Sequence, residues 1–424
     1  MDQRIYREYI SILNEELVPA LGCTEPIAIA LAAAKAREVL GSMPEHISVE
    51  CSGNVIKNAM GVTVPGTGNM KGVHTAAVLG AVGGIPAKNL EVLSEIGPED
   101  VEKTAELLGG NICSVHILET EYPLHIIVRA EAEGRSAMTE IRGHHTNFVR
   151  IEKDNRLIFE SPSQSPAADY ATDRSLLNLE DILLFAEEAD TEDLERIFGR
   201  QITLNTDIAR EGLEHDYGCR VGATLLKNSG TDDVRTYARA LAAAGSDARM
   251  GGCVMPVIIT SGSGNQGLTV SLPVIAYAEH LGASREKMLR ALGISNLVAL
   301  LHKREIGRLS AYCGAVCSAC GSGAAITWLH GGGLEMISGT ITNMLGNVSG
   351  IICDGAKSSC AAKIASSVDA AILAHEMAMD GNSFAPGEGI VKPGAEKTMA
   401  STGRLARKGM AETDREILRI MIES

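Results

Sequence analysis

The chain has 424 residues, room for two or three domains at about 150 residues each and for a sizeable core. Its 38 basic and 53 acidic residues leave a net charge of −15, and aromatics make up only 3%. An acidic surface with few stacking side chains argues against nucleic-acid binding as the main role. The opening MDQRIYREYI carries charges where a signal peptide needs an apolar core. Ten cysteines without such a signal point to a reducing, cytoplasmic setting, where they serve as thiols, metal ligands or catalysts.

Taken in chain order, residues 3–18 place Ile5, Tyr9, Ile12, Leu13 and Leu17 on one face of a helix that Pro19 ends. An alanine-rich helix follows over 25–40, with Thr24 as a cap, Pro26 in its first turn and Gly41 as its stop. The period then changes to two. Ile47, Val49 and Cys51 alternate with polar residues, Val62 and Val64 continue the strand pattern, and more strands are expected at 113–119, 123–132, 135–142 and 147–152. Helices are expected at 70–82 and 99–108, and turns at Glu133-Gly134 and Asp154-Asn155. Residues 1–160 thus read as an α+β domain with an antiparallel sheet.

Residues 161–200 read as a linker with short helices, the stretch 160–178 being its loop-like part. From 179 onward no strand is expected. Helical patterns recur at 179–188, 190–198, 202–214, 232–244, 268–281 and 285–305, then as apolar, glycine-rich helices to 379. A Pro/Gly-rich tail at 383–398 and a charged helix at 411–423 close the chain. Residues 201–424 therefore form a second, mostly helical domain. Leu309 to Leu334 carries no Asp, Glu, Lys or Arg. Its cysteines, serines and glycines mark a buried central helix rather than a membrane span.

Chemistry gathers at a few places. Cys313, Cys317 and Cys320 form one helical stripe, which reads either as packing or as the C-x3-C-x2-C pattern of radical iron–sulfur enzymes. That pattern sits in a loop after a first strand, whereas this one lies late in a helical region. Cys313 can instead join Cys353 and Cys360. Soft thiolates from two segments suit an iron–sulfur cluster or zinc, and three ligands leave one position open for a substrate. Cys23 stands just before a helix, whose N-terminus should favour its thiolate as a base or nucleophile, although Glu25 opposes that shift. Ser261-Gly262-Ser263-Gly264-Asn265-Gln266-Gly267 precedes a helix and can cradle a carboxylate or phosphate. Gly53 to Asn58 is expected as a loop presenting Lys57 and Asn58. The neighbours His144 and His145 would point to opposite sides of a strand and are set aside as a metal pair.

Together, Gly22-Cys23-Thr24-Glu25-Pro26, Lys57-Asn58 with Val64-Pro65-Gly66-Thr67, the 261–267 loop, Gly307-Arg308-Leu309-Ser310-Ala311-Tyr312-Cys313-Gly314 and Cys353-Asp354-Gly355-Ala356-Lys357 resemble the L-cysteine desulfidases. These are relatives of the α chain of iron–sulfur L-serine dehydratases. The desulfidase resemblance covers nearly the whole chain, the dehydratase one roughly residues 200–400. It implies β-elimination without pyridoxal phosphate at an oxygen-sensitive [4Fe–4S] cluster. The implied ligands are Cys313, Cys353 and Cys360, and Cys360 stands closer to Cys353 than the third ligand does in the dehydratases. Cys23 is implied as the base, and the substrate-binding set is Ser261, Ser263, Gly264, Asn265, Gln266, Lys57, Asn58 and Lys357. No cysteine follows 360, so the tail ligand of the dehydratases has no counterpart here.

The expected partner is a small amino-acid substrate, L-cysteine or L-serine. Neither nucleic acid nor membrane is expected, and a homodimer is allowed. Two rival readings remain: a pyridoxal phosphate lyase using Lys57 or Lys357 as its Schiff-base lysine, and a non-catalytic cysteine or iron–sulfur sensor.

Overall fold

The computed structural model describes residues 1–161, 172–307 and 309–423. Residues 162–171 of the expected linker, and Arg308, lie outside the described residues. The first helix, α1 (Gln3–Glu16), is capped by Asp2, whose carboxylate accepts from the Arg4 and Ile5 amides. It buries Tyr9, Ile12 and Leu13. The Tyr9 ring stands 5.7 Å from that of Phe185 and its hydroxyl donates to the Leu176 carbonyl at 3.0 Å, so α1 packs on the helices of the second half.

Next come β1 (Pro19–Ala20), α2 (Thr24–Leu40), β2 (His46–Cys51), α3 (Gly53–Met60), α4 (Gly72–Gly83), α5 (Pro98–Gly109), β3 (Cys113–Ile117), β4 (His125–Ala132), β5 (Arg135–Arg142), β6 (Phe148–Lys153) and β7 (Arg156–Glu160). Strands β2 to β7 form one six-stranded sheet in the order β3-β2-β4-β5-β6-β7. Every pair is antiparallel except β2 with β3, which run parallel because three helices cross over between them. The alternation of Ile47, Val49 and Cys51 is borne out, all three being buried.

The expected turns form as well. Glu133-Gly134 and Asp154-Asn155 all have positive φ, as tight two-residue hairpins need. The second hairpin adds a strand, β7, that the sequence did not announce; all five of its residues are exposed, so it lacks the half-buried alternation of a strand. Val62 and Val64 do not continue a strand. Only Thr63 makes an isolated bridge, to Lys71. The expected loop at Gly53 is instead α3, with Lys57 and Asn58 buried in it.

Helix α2 is buried almost all round, α4 on one side and the sheet on the other; Thr139 on β5 donates to the Ala32 carbonyl at 2.9 Å. Its alanines leave room for backbones to approach from both sides, which explains a helix with scarcely any polar face.

The second half comprises α6 (Leu179–Glu188), α7 (Thr191–Glu214), α8 (Val221–Ser229), α9 (Val234–Met250), β8 (Val257–Ile258), α10 (Gly264–His280), α11 (Arg285–Ile306), α12 (Gly314–Leu329), α13 (Leu334–Asn347), α14 (Cys360–Met379), α15 (Ala395–Arg404) and α16 (Ala411–Glu423). The fold class is α+β. Two expected helices at 190–198 and 202–214 are one, α7. Helices α8 and α15 were not anticipated, and β8 corrects the expectation of no strand after 179. The charge-free stretch becomes α12, packed among α10, α11, α13 and α14 and buried almost throughout. Among the described residues no helix is long and apolar enough to cross a membrane.

Candidate active site

Two strands far apart in sequence bring the first two motifs together. β1 and β8 pair antiparallel, with Pro19 opposite Ile258 and Ala20 opposite Val257. One leads into Gly22-Cys23-Thr24-Glu25, the other into Ser261-Gly262-Ser263. The turns then lock. Thr24 does not cap α2 as expected: Cys23 holds the N-cap position without a side-chain hydrogen bond, and Thr24 Oγ1 donates to the Gly262 carbonyl at 2.9 Å. Ser263 is the N-cap of α10, so the loop's last residues sit at a helix N-terminus.

A second clamp carries the cysteines. The Cys313 amide donates to the Ile351 carbonyl at 2.8 Å, and the Cys353 amide to the Ala311 carbonyl at 2.7 Å. This pair of bonds sets Cys313, at the start of α12, beside Cys353. Cys360 opens α14, its Sγ 3.8 Å from the Gly355 carbonyl oxygen. Gly355 (φ +90°) presses on α3, where an added Cβ would stand 2.2 Å from the Lys57 carbonyl oxygen. Only glycine admits that approach. At the other end, Gln266 packs flat on Gly314 and joins the glycine-rich loop to the start of α12.

These segments line a cavity of about 110 Å³. Cys23, Cys313, Cys353 and Cys360 line it, with Asn58, Ser261, Ser263, Asn265 and Gln266 of the expected substrate set. Gly264 backs the loop from behind, against Arg249. Lys57 and Lys357 do not line the cavity. Lys57 is 2% exposed and paired with Asp414 of α16. Lys357 Nζ is 2.6 Å from Asp354 Oδ1 and also donates to the Asp354 carbonyl at 2.9 Å. Cys317 and Cys320 are fully buried within α12 and do not reach the cavity, as packing residues should not.

The electrostatics around Cys23 differ from expectation. Its Sγ donates to Glu25 Oε2 at 3.2 Å. Burial, then the Glu25 charge, pushes the thiol well above its ordinary range, and Arg249 only partly opposes this. A helix N-terminus does not make Cys23 a resting thiolate. Glu25 is the hub instead. It also accepts from Thr24 Oγ1 at 3.1 Å and Asn58 Nδ2 at 2.9 Å, and His145 Nε2 stands 3.7 Å away. Burial alone would raise its pKa; His145 first, then Cys23 and Asn58, outweigh that and bring it to about 2.

His145 was set aside in the sequence because its neighbour faces elsewhere, yet it is buried and lines the cavity alone of the pair. Arg249, at the end of α9, also lines it, and nothing in Ala-Arg-Met-Gly-Gly marked it.

The three remaining cysteines are the soft donors that iron–sulfur clusters take. Cys313 and Cys353 stand side by side and oppose each other's ionisation. Cys353, beside the Cys313 thiol and with Lys57 and Lys363 nearby, is the one drawn down, while Cys313 is pushed up. Among the described residues no three side chains converge closely enough to hold a single metal ion. Cys313, Cys353 and Cys360 are the residues that would hold an iron–sulfur cluster here. All ten cysteines are free thiols.

Comparison with known proteins gives the same direction. The sequence matches the family described as serine dehydratase alpha chain over residues 87–419, reaching well before the residue 200 at which that likeness was expected to begin. A UPF0597 protein of Lachnoclostridium phytofermentans is 55% identical over 418 residues, 99% of this chain and 100% of that one. Another from Treponema denticola is 47% identical over 428 residues, covering 100% and 99% of the two chains. A third, from Desulfitobacterium hafniense, is 47% identical over 419 residues, covering 99% and 97%.

Proposed function

The chain belongs to the serine dehydratase alpha-chain family, and from that premise we propose that it is an iron–sulfur lyase acting on L-cysteine, with pyruvate, ammonium and sulfide as products. The observation that carries this reading is the convergence of Cys23, Cys313, Cys353, Cys360 and the 261–267 loop on one small cavity. Cys313, Cys353 and Cys360 would hold a [4Fe–4S] cluster, which when bound supplies a Lewis acid for the departing β-substituent. A thiolate is the better match for such a soft centre, which favours cysteine over serine.

The chain's own residues do the rest. The amides at the N-terminus of α10 receive the substrate's negative end. Cys23 and Glu25 act as a unit in removing the α-proton. The C–H bond breaks as a new S–H bond forms, while the proton already on Cys23 passes along its 3.2 Å hydrogen bond to Glu25. No free thiolate is required in a site where burial disfavours one. The β-substituent leaves, and the aminoacrylate tautomerises and takes up water to give pyruvate and ammonium. Oxygen sensitivity of the cluster would fit a cytoplasmic enzyme.

The family description itself supports L-serine as a second substrate reading. The pyridoxal reading loses support, because both candidate lysines are paired away from the cavity. Anaerobic purification followed by parallel assays with L-cysteine and L-serine is the test. Equal amounts of sulfide and pyruvate from L-cysteine are expected, with loss of activity in air. Pyruvate from L-serine without sulfide from L-cysteine would make it a dehydratase. Activity that survives air and is killed by borohydride would overturn the cluster reading.

A further inference from the structure

Arg249 is 2% exposed, yet its guanidinium makes no hydrogen bond or ion pair among the described residues, and its buried Nε has no partner. The nearest acid on its helix is turned away: Asp247 accepts from the Gly222 amide at 3.0 Å. Gly264 packs closely against the guanidinium, where a Cβ would stand 2.2 Å from Nε, so only glycine at this loop position leaves room for the Arg249 head group beside the cavity it lines. A buried cation without a partner is costly, and a fold retains one where an anion arrives to meet it. The guanidinium fork matches a carboxylate with two parallel bonds.

A second orphan faces the same cavity. Asn265 Oδ1 is buried without a donor, while its Nδ2 rests 3.7 Å from Sδ of Met250, the residue after Arg249. Both side chains line the cavity with Cys23. An unused donor fork and an unused acceptor, with the Glu25 carboxylate close by, are complementary to a molecule carrying one carboxylate and one ammonium group.

We propose that Arg249 and Asn265 form the head-group site for a free α-amino acid, Arg249 binding the α-carboxylate and Asn265 Oδ1 the α-ammonium. The substrate class is then the free zwitterion. Cysteamine, which lacks the carboxylate, 3-mercaptopropionate, which lacks the amine, and peptides are excluded whatever their β-substituent. This rests on the lyase reading for its substrate, but its test does not depend on turnover.

Calorimetric titration of the anaerobically purified full-length chain with L-alanine, which has no β-leaving group, should give saturable binding. Arg249→Met should weaken it at least about tenfold, the scale of a lost charge-assisted pair. The same variant, without ligand, should melt no lower than the parent, because a buried unpaired charge has been removed. Asn265→Leu should weaken L-alanine but leave propionate unchanged. Arg249→Lys should raise KM for L-cysteine more than it lowers kcat. No L-alanine binding by the parent, or binding by Arg249→Met within about twofold of it, would overturn the proposal. If Arg249 governs binding while neither L-cysteine nor L-serine is consumed, the lyase reading falls and the head-group site stands. If turnover is normal and L-alanine binding ignores Arg249, the reverse holds.

Discussion

The Cys23 thiol donates to the Glu25 carboxylate across 3.2 Å, and the same carboxylate accepts from Asn58 Nδ2 at 2.9 Å. A base expected from one motif is thereby tied to an acid within that motif and to an amide on α3. Cys23→Ser should keep its iron and acid-labile sulfide but lose turnover by about 10²–10⁴-fold, the usual worth of a positioned proton acceptor. Glu25→Gln should lose a similar factor. Loss of iron from Cys23→Ser in step with activity would make Cys23 a ligand instead.

Glu25 also predicts how the fold responds to acid. Its carboxyl is held at about 2 against an ordinary 4.5, so between these values the unfolded chain takes up a proton that the folded one refuses. Stability from this group is complete above pH 4.5 and is lost as pH falls toward 2. The separation is worth roughly 3 kcal/mol. Urea unfolding midpoints measured across that window should fall steeply for the parent and less steeply for Glu25→Gln. Parallel curves would mean that Glu25 is not the hub described.

Much of the fold was legible because its periods are clean. Ile47, Val49 and Cys51 fixed β2, and the turn residues at Glu133-Gly134 and Asp154-Asn155 fixed two hairpins. β7 was missed because Leu157, Ile158 and Phe159 are all exposed, so no alternation marks them. Gly53 to Met60 was misread because Gly53 and Asn54 look like a turn, whereas burial of Val55, Ile56 and Lys57 decides for a helix. In the site, Cys23, Asn58, the 261–267 loop and the three later cysteines announce themselves as motifs. Arg249 does not, being a lone residue whose meaning comes from the chain that folds over it, and His145 is masked by its neighbour His144, because only the fold shows which of the two enters the cavity. The lysines differ from expectation for two reasons: Asp414, which pairs with Lys57, is more than 350 residues away in the chain, and Asp354 takes up Lys357 from within its own motif.

The cysteines separate into two classes by position. Cys313→Ala and Cys353→Ala should abolish cluster binding, because both line the cavity on two segments clamped together by backbone hydrogen bonds. Cys317→Ala and Cys320→Ala should retain full iron, since both lie inside α12 among apolar neighbours, and should cost only about 1 kcal/mol of stability. Iron and acid-labile sulfide per chain decide the matter. Full occupancy in Cys353→Ala would remove it from the ligand set.

The loop that carries Cys353 is braced from outside the ligand set, and this gives the last prediction. Gly355 has φ +90°, and a Cβ there would stand 2.2 Å from the Lys57 carbonyl oxygen. That oxygen cannot recoil freely, because Lys57 is buried in α3 and held through its side chain to Asp414. Gly355→Ala must therefore shift the 353–357 loop, not the helix. The left-handed conformation alone costs about 1–2 kcal/mol for alanine. Gly381, with φ +75° and nothing within 4 Å, carries that conformational cost without the collision. Both variants should lose a comparable increment of thermal stability from the backbone. Only Gly355→Ala should also lose most of its iron, although every cysteine remains in place. Equal iron in the two variants would show that Cys353 is positioned by its bond to the Ala311 carbonyl alone and that α3 plays no part in holding the site.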